Sequence, residues 1–480
     1  MTKHLDIDTR AMRAKILDLA IRGKLTDQRQ EDGNARDILK AIQAEKEKLI
    51  KEKKIKKEKP LPDIAEEEKP FDIPDNWEWV RLGEIIELQS GQDFPKSKYS
   101  DTDKEGIPYI TGASCFTKNG VLENRWTRFP KCIATKGDIL LVCKGSGYGK
   151  ITICNLQKVH IARQIMAIKR SEYLNLSYIE SFLMASIKLI KENGQGLIPG
   201  ISRDIVLNLL FPLPPLAEQN RIADKVSKLF AQLDAIDKAY EEYRELQQAM
   251  KAKLLELAMQ GKLTDQRAED GNARDLLKEI QAEKEKLVKE KKIKKENPLP
   301  EIEADEVPFE IPKNWMWVRI NDLFDVARGG SPRPIKAFLT EDMNGINWIK
   351  IGDTEIGGKY IYHVKEKIKP EGLKKSRFVK SGDLLLTNSM SYGRPYILKT
   401  DGCIHDGWLV LSPFVYSLNK EFFYYLISSQ YVKREFTKTA VGAVVKNLNK
   451  NKVKAIIIPL PPLAEQKRIV AKLDELLPLL

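Results

Sequence analysis

The chain has 480 residues, 42% hydrophobic and 31% charged, which fits a globular protein with more than one core and excludes a largely disordered chain. Its formal net charge of +13 suits a polyanionic partner. No run of eighteen apolar residues occurs and the opening MTKHLDIDTR has no apolar leader core, so no membrane span or signal peptide is expected. Five cysteines (Cys115, Cys132, Cys143, Cys154 and Cys403) show no CxxC spacing. Neither a zinc site nor a disulfide framework is indicated, and the expected compartment is a reducing cytoplasm.

In chain order, the first segment places Leu5, Met12, Ile16 and Leu19 at helical spacing, followed by GKLTDQR at Gly23–Arg29. A Lys/Glu-rich helix is predicted over about 35–57, with Ile38, Ile42 and Leu49 as a sparse apolar face, stopped by the prolines of KPLPDI. The acidic AEEEKP reads as a linker, leading to PFDIPDNWEWVRL from Pro70. Residues 83–211 then alternate β-branched runs (GIPYITG, GDILLVC, KITICNL) with turn residues, and end in the helical LNLSYIESFLMASIKLIKEN.

PLPPLAEQ at Pro212–Gln219 opens a long helix predicted from Leu216 to Met259 and stopped near Gly261. Its heptads put Ile222, Leu229, Ile236, Tyr243, Met250 and Leu257 at a, and Val226, Leu233, Tyr240, Gln247 and Leu254 at d. That is a coiled-coil seam on a helix of about 65 Å.

From here the sequence repeats. GKLTDQR returns at Gly261, and its second Lys/Glu-rich helix is predicted over about 273–295, with Leu276, Ile280 and Leu287 as its apolar face. PFEIPKNWMWVRI follows at Pro308, and a second strand-rich segment, 321–458, ends in the helical LNKEFFYYLISSQYVKREF. PLPPLAEQ returns at Pro459. The frames are nearly identical, and the segments they hold are not.

The chain ends complete the pattern. Ile469, Leu473, Leu476 and Leu480 match Ile222, Val226, Leu229 and Leu233, while Leu5, Met12, Ile16 and Leu19 match Tyr243, Met250, Leu254 and Leu257. The two ends together therefore supply a second copy of the central helix, expected to pack antiparallel on it with the termini close together. The expected fold class is α+β: two mixed α/β recognition domains separated by long antiparallel coiled-coil helices in a pseudo-two-fold, circular arrangement. The expected divisions are 1–73 (N-terminal helical region), 74–212 (first recognition domain), 213–311 (central helical spacer), 312–459 (second recognition domain) and 460–480 (C-terminal helix segment).

The loops of the two divergent segments carry side chains suited to phosphates and base edges. The candidates are Lys118, Asn119, Lys144, Ser146, Tyr148, Lys150, Arg163 and Gln164 in the first, and Arg333, Lys350, Asp353, Asn388, Ser389, Tyr392 and Arg394 in the second. KGSGYGK at Lys144 fails both GxxxxGK[ST] and GxGxxG spacing, so it reads as a turn. The four histidines (His4, His160, His363, His405) show no HxxxH or HExxH spacing, and no catalytic or metal residue is expected.

PLPPLAEQNRIADKV, PLPPLAEQKRIVAKL, GKLTDQR, PFDIPDNWEWVRLGEI and VARGGSPRP resemble segments of the specificity (S) subunits of type I restriction–modification systems, and the likeness runs along essentially the whole chain. The resemblance implies a non-catalytic subunit reading a bipartite, asymmetric target in double-stranded DNA. It implies docking to two methyltransferase (modification) subunits and to restriction (translocase–nuclease) subunits, with no membrane partner. S-adenosylmethionine, ATP and magnesium would then bind those partners, with no cofactor on this chain. The alternative is an orphan DNA-binding adaptor or scaffold without restriction partners.

Overall fold

The computed structural model describes residues 7–480 except 54, 56, 58, 119, 146, 194–199, 356, 389–392 and 440–447. It contains two compact units, Lys3–Glu241 and, after it, Glu242–Leu480, with the central helix Leu216–Met259 continuing from one into the other.

Each unit is a frame holding a strand-rich insert. In the first frame, Glu78–Arg81 pairs antiparallel with Leu210–Leu213, Arg81 opposite Leu210. In the second, Met316–Arg319 pairs with Ile457–Leu460 in the same register, Arg319 opposite Ile457. The first insert has two four-stranded sheets and the second two five-stranded ones. The first insert includes one parallel pair among the described residues, Ile107–Ile110 beside Lys158–Ile161, and the second includes two, Ile346–Ile349 beside Gly402–Ile404 and Tyr360–Ile361 beside Pro395–Leu398.

The uninterrupted apolar runs are sheets buried on both faces. In the first insert Ile139 and Leu141 face the core shared with the frame, while Leu140 faces a separate core with Ile110 and Val159. The second insert repeats this alternation, with Leu384 and Leu386 on one side and Leu385 on the other.

The repeated sequence words are hydrogen-bond partners of one another. Glu218, from PLPPLAEQ, is buried. Its carboxylate accepts from Trp77 Nε1 at 2.8 Å, Gln28 Nε2 at 2.6 Å and Thr26 Oγ1 at 3.2 Å. Gln219 accepts from the Asn175 N–H and donates to the Pro214 carbonyl. Arg221 grips Asp32 with both terminal nitrogens, at 2.5 and 2.7 Å. The second frame reproduces these contacts except that Arg468 reaches Asp270 through one nitrogen and leaves Asp270 Oδ2 without a hydrogen bond. Glu465 accepts from Trp315, Gln266 and Thr264; Gln466 bonds Asn419 and Pro461; Arg468 holds Asp270. Gly23 and Gly261 close the turns before GKLTDQR's polar residues at φ +67° and +66°. A Cβ there would stand 2.5 Å from Pro74 and 2.4 Å from Pro312, so only glycine fits.

The N-terminal helix Thr9–Ile21 runs antiparallel to the first part of the central helix, since Thr9 bonds Asp237 and Arg13 reaches back to Asp234 and the Phe230 ring. Within the second unit the C-terminal helix Leu463–Leu476 does the same to the last part, with the Leu480 carbonyl accepting from Gln247. The antiparallel pairing expected of the chain ends is present in each unit; residues 1–6, on which the nearness of the termini turns, lie outside the described residues.

The heptad seam is filled only towards the helix ends. Ile222, Val226 and Leu233 are buried, and Leu229, Tyr240, Leu254 and Leu257 are half-buried. Ile236, Tyr243 and Met250 are exposed. Three other expectations change. The Lys/Glu-rich helices end at Lys51 and Lys289, not at the prolines. Lys53 and Lys291 both take φ +57° and turn the chain out of the helix. The acidic linkers are anchored, with buried Arg81 pairing Glu68 and binding the carbonyls of Pro62, Asp63 and Asn208; Arg319 and Glu306 repeat this. The second insert's single predicted helix is two, Lys420–Ser428 and Gln430–Thr439, since Ser429 takes ψ 154° and its hydroxyl caps the next turn at Val432.

Glu218→Ala orphans the buried indole donor of Trp77, costing about 1–3 kcal/mol. Urea unfolding followed by tryptophan fluorescence should show the first unit melting earlier, and Glu465→Ala should do the same to the second. Burial raises the Glu218 and Glu465 carboxyls above their ordinary value of 4.5, while the donated hydrogen bonds pull them back. The folded state thus holds these protons more tightly, and that share of stability is lost as pH rises through the folded values. The double variant Glu218→Gln/Glu465→Gln, which does not titrate there, should gain on the wild type as pH rises across that window.

Candidate nucleic-acid interface

In the first insert, loops converge at one end of the sheet formed by residues 88–90, 165–168, 139–142 and 151–153. The turn after Val142 carries Lys144, Tyr148 and Lys150, and the turn before Ile165 carries Arg163 and Gln164. The Cys143 N–H donates to the Gln164 carbonyl at 2.7 Å and ties the turns together. Gly112 lets a third loop approach, since a Cβ there would lie 2.9 Å from Gln164 Oε1. Lys144 and Lys150 are exposed. Arg163 is exposed too and pairs with Asp93 at 2.7 Å. Tyr148 is half-buried under the Lys191 ammonium at 5.2 Å, so it supports the turn.

Lys118 stands apart from this group, exposed on the turn between Phe116–Thr117 and Gly120–Val121. Its charge helps hold the Asp237 carboxyl below the usual range, after the hydrogen bonds from Thr9 and Arg13, which places it beside the helical frame. Asn119, Ser146, Ser389 and Tyr392 lie outside the described residues.

In the second insert Asp406 organises the loops. Its Oδ1 accepts from Ser331 Oγ at 2.8 Å, its Oδ2 lies 3.6 Å from the Arg333 guanidinium, and its carbonyl accepts from Arg328 and from Asn388 Nδ2. The Ser331 hydroxyl holds the Asp406 carboxyl below its usual range against the opposing effect of burial. Arg333 remains 83% exposed, leaving its fork of donors available. Asn388 is buried. Lys350 is half-buried and paired with Glu366 at 2.5 Å. Asp353 accepts from the backbone N–H groups of Lys350 and Lys365, which makes it a loop-shaping carboxylate. A cleft of about 930 Å³ opens between Arg333, Pro332, Trp348, Lys350, Glu366 and His405. Arg394 is exposed on a neighbouring turn, and its charge adds to burial in pushing the Lys433 ammonium down.

The histidines that echo between the inserts hold loops. His160 Nδ1 accepts from the Lys131 and Cys132 N–H groups, and its ring stacks on Phe94 at 4.2 Å. His405 accepts from the Gly407 N–H. Burial lowers both below the usual histidine value, so they are uncharged at neutral pH. Among the described residues no group of three or more His, Cys, Asp or Glu side chains fits a metal ion, and no helix is long and apolar enough to cross a membrane. Sequence reasoning missed Asp93 and Asp406, whose basic partners Arg163 and Arg333 come from loops distant in the chain, and Glu366, which pairs with Lys350.

The arrangement offers exposed Lys and Arg donors on rigid sheet ends, with the chemistry to bind phosphates and base edges. The family of the Type I restriction modification DNA specificity domain matches the chain twice, at residues 74–243 and 312–478. The chain is 32% identical over 385 residues to the Type I restriction enzyme EcoAI specificity subunit of Escherichia coli, an alignment covering 66% of this chain and 63% of that protein. It is 26% identical to the Type I restriction enzyme MjaVIII specificity subunit of Methanocaldococcus jannaschii, over 84% of this chain and 87% of that one. A solved chain from a study of complex assembly and conformational transition of the type I R-M system shares the fold at a TM-score of 0.56, with 23% identity over 85% of this chain and 91% of that one. With one match on each of its two frame-and-insert units, the chain belongs to the family of type I restriction modification DNA specificity domains.

Proposed function

We propose that this chain is the sequence-reading subunit of a type I restriction–modification complex, acting in the cytoplasm and performing no chemistry of its own. The observation that carries this reading is the doubling: two frames with matching buried contacts hold two inserts with unlike loops. Equivalent frames give two partner subunits equivalent docking surfaces, so two methyltransferase subunits are expected, with restriction subunits joining that assembly. Unlike inserts give two unlike halves of a split target in double-stranded DNA. Phosphate contacts from Lys144, Lys150 and Arg394 position the duplex, and Arg333, with Gln164 and Arg163, reads base edges. S-adenosylmethionine, ATP and magnesium bind the partner subunits. The base to be methylated is turned out of the stack towards the methyltransferase.

Exchanging residues 74–212 for the corresponding insert of a relative should change one half of the target and leave the other half intact, read by methylation of a duplex library by the assembled complex. A change in both halves, or in neither, overturns the two-reader account. Within one reader, Arg333→Ala should weaken the preferred duplex by about 1–3 kcal/mol and relax selectivity at one position. Lys150→Ala should weaken all duplexes alike and lower the salt slope by about one. Competition binding at several salt concentrations separates these effects.

A further inference from the structure

The two frames differ over one patch of the strand pair. In the second unit the helix break at Ser429 drops Tyr431 edge-on onto Phe309, with centroids 5.6 Å apart, and onto Trp317 at 6.2 Å. The Tyr431 hydroxyl donates to the Ile457 carbonyl at 2.8 Å. Phe309 and Trp317 are themselves 4.9 Å apart, so tyrosine completes an aromatic triad on the frame strands.

The first unit has the same floor. Phe71 and Trp79 lie 5.1 Å apart, and Leu210 occupies the register position of Ile457. There, however, the helix Leu176–Asn193 continues without a break. It presents Ala185, Ser186 and Leu189 to this floor, and a cleft of about 630 Å³ remains over Phe71, Trp79 and Leu210. Arg22 covers one face of Phe71 at 4.4 Å, yet Leu189 on the cleft wall is 54% exposed. An apolar cleft with an aromatic floor is a surface that gains from being covered.

We propose that this cleft receives a tyrosine or phenylalanine side chain of the modification subunit, seated as Tyr431 is seated in the other frame. The internal copy supplies the template: two aromatic edges below and, for tyrosine, a strand carbonyl as acceptor. The exposed Asp204 carboxylate on the rim favours a basic residue beside the incoming ring. The inference rests on the functional reading above and adds an asymmetry to it, because among the described residues the first unit leaves open the position that Tyr431 fills in the second.

The test uses the full chain and its modification subunit. Ala185→Trp fills the cleft from within. It should leave the chain folded, with an unchanged or higher melting temperature, and should weaken one of the two modification-subunit binding steps at least tenfold in titration calorimetry. Should that variant fail to fold, a photo-crosslinking p-benzoylphenylalanine at Ser186 in the otherwise native chain should link to an aromatic-containing segment of the modification subunit. Unchanged binding by folded Ala185→Trp, or crosslinks only within this chain or to a second copy of it, overturns the slot alone. Failure of the wild type to bind the modification subunit overturns the functional reading, and the slot with it.

Discussion

A buried glutamate at the start of a helix is the constraint on which the rest of each unit depends. Glu218 and Glu465 are taken out of water, which is costly for a carboxylate unless its oxygens are satisfied. Each accepts from a tryptophan indole, a glutamine amide and a threonine hydroxyl, supplied by sequence words about 140 to 200 residues away. Removing the glutamate leaves the buried indole unpaired, and removing the tryptophan leaves one carboxylate oxygen without its donor, so the words PLPPLAEQ, GKLTDQR and IPxNW function as a set. Their repetition within one chain follows from there being two such sites to build.

That arrangement frees the inserts to differ. Each frame closes on itself through its strand pair and its anchored arginine, Arg81 or Arg319. The insert contributes a sheet whose one face joins the frame core and whose other face forms its own. Residues at the sheet ends carry little of this burden, and the basic side chains stand there: Lys144, Lys150 and Arg163 in one unit, Arg333 and Arg394 in the other. Selectivity can change by loop substitution without disturbing the buried polar network, as expected of a scaffold with grafted sites.

Much of this was legible in the sequence because its signals are local or repeated. The heptads and flanking proline and glycine marked Leu216–Met259 correctly at both ends. Matching the chain ends to the central helix anticipated the antiparallel pairing. What could not be read depended on contacts that form only when the chain packs. The acidic AEEEKP looked like a linker because its counter-charge, Arg81, becomes buried only on folding. The break at Ser429 lies in a segment with continuous helical propensity and is fixed by the packing of Tyr431 below it. The seam at Ile236, Tyr243 and Met250 kept its period in the sequence, yet these side chains stay exposed. Among the candidate contacts, Asp353 and Lys350 had suitable chemistry, but their loops had already committed them to backbone amides and to Glu366.

The most direct measurement is selection from a random duplex pool by the chain assembled with its methyltransferase in the presence of S-adenosylmethionine. The account predicts enrichment of one motif in two unlike halves separated by a fixed, unselected gap. Enrichment of a single contiguous motif, or uniform binding without any motif, would contradict it.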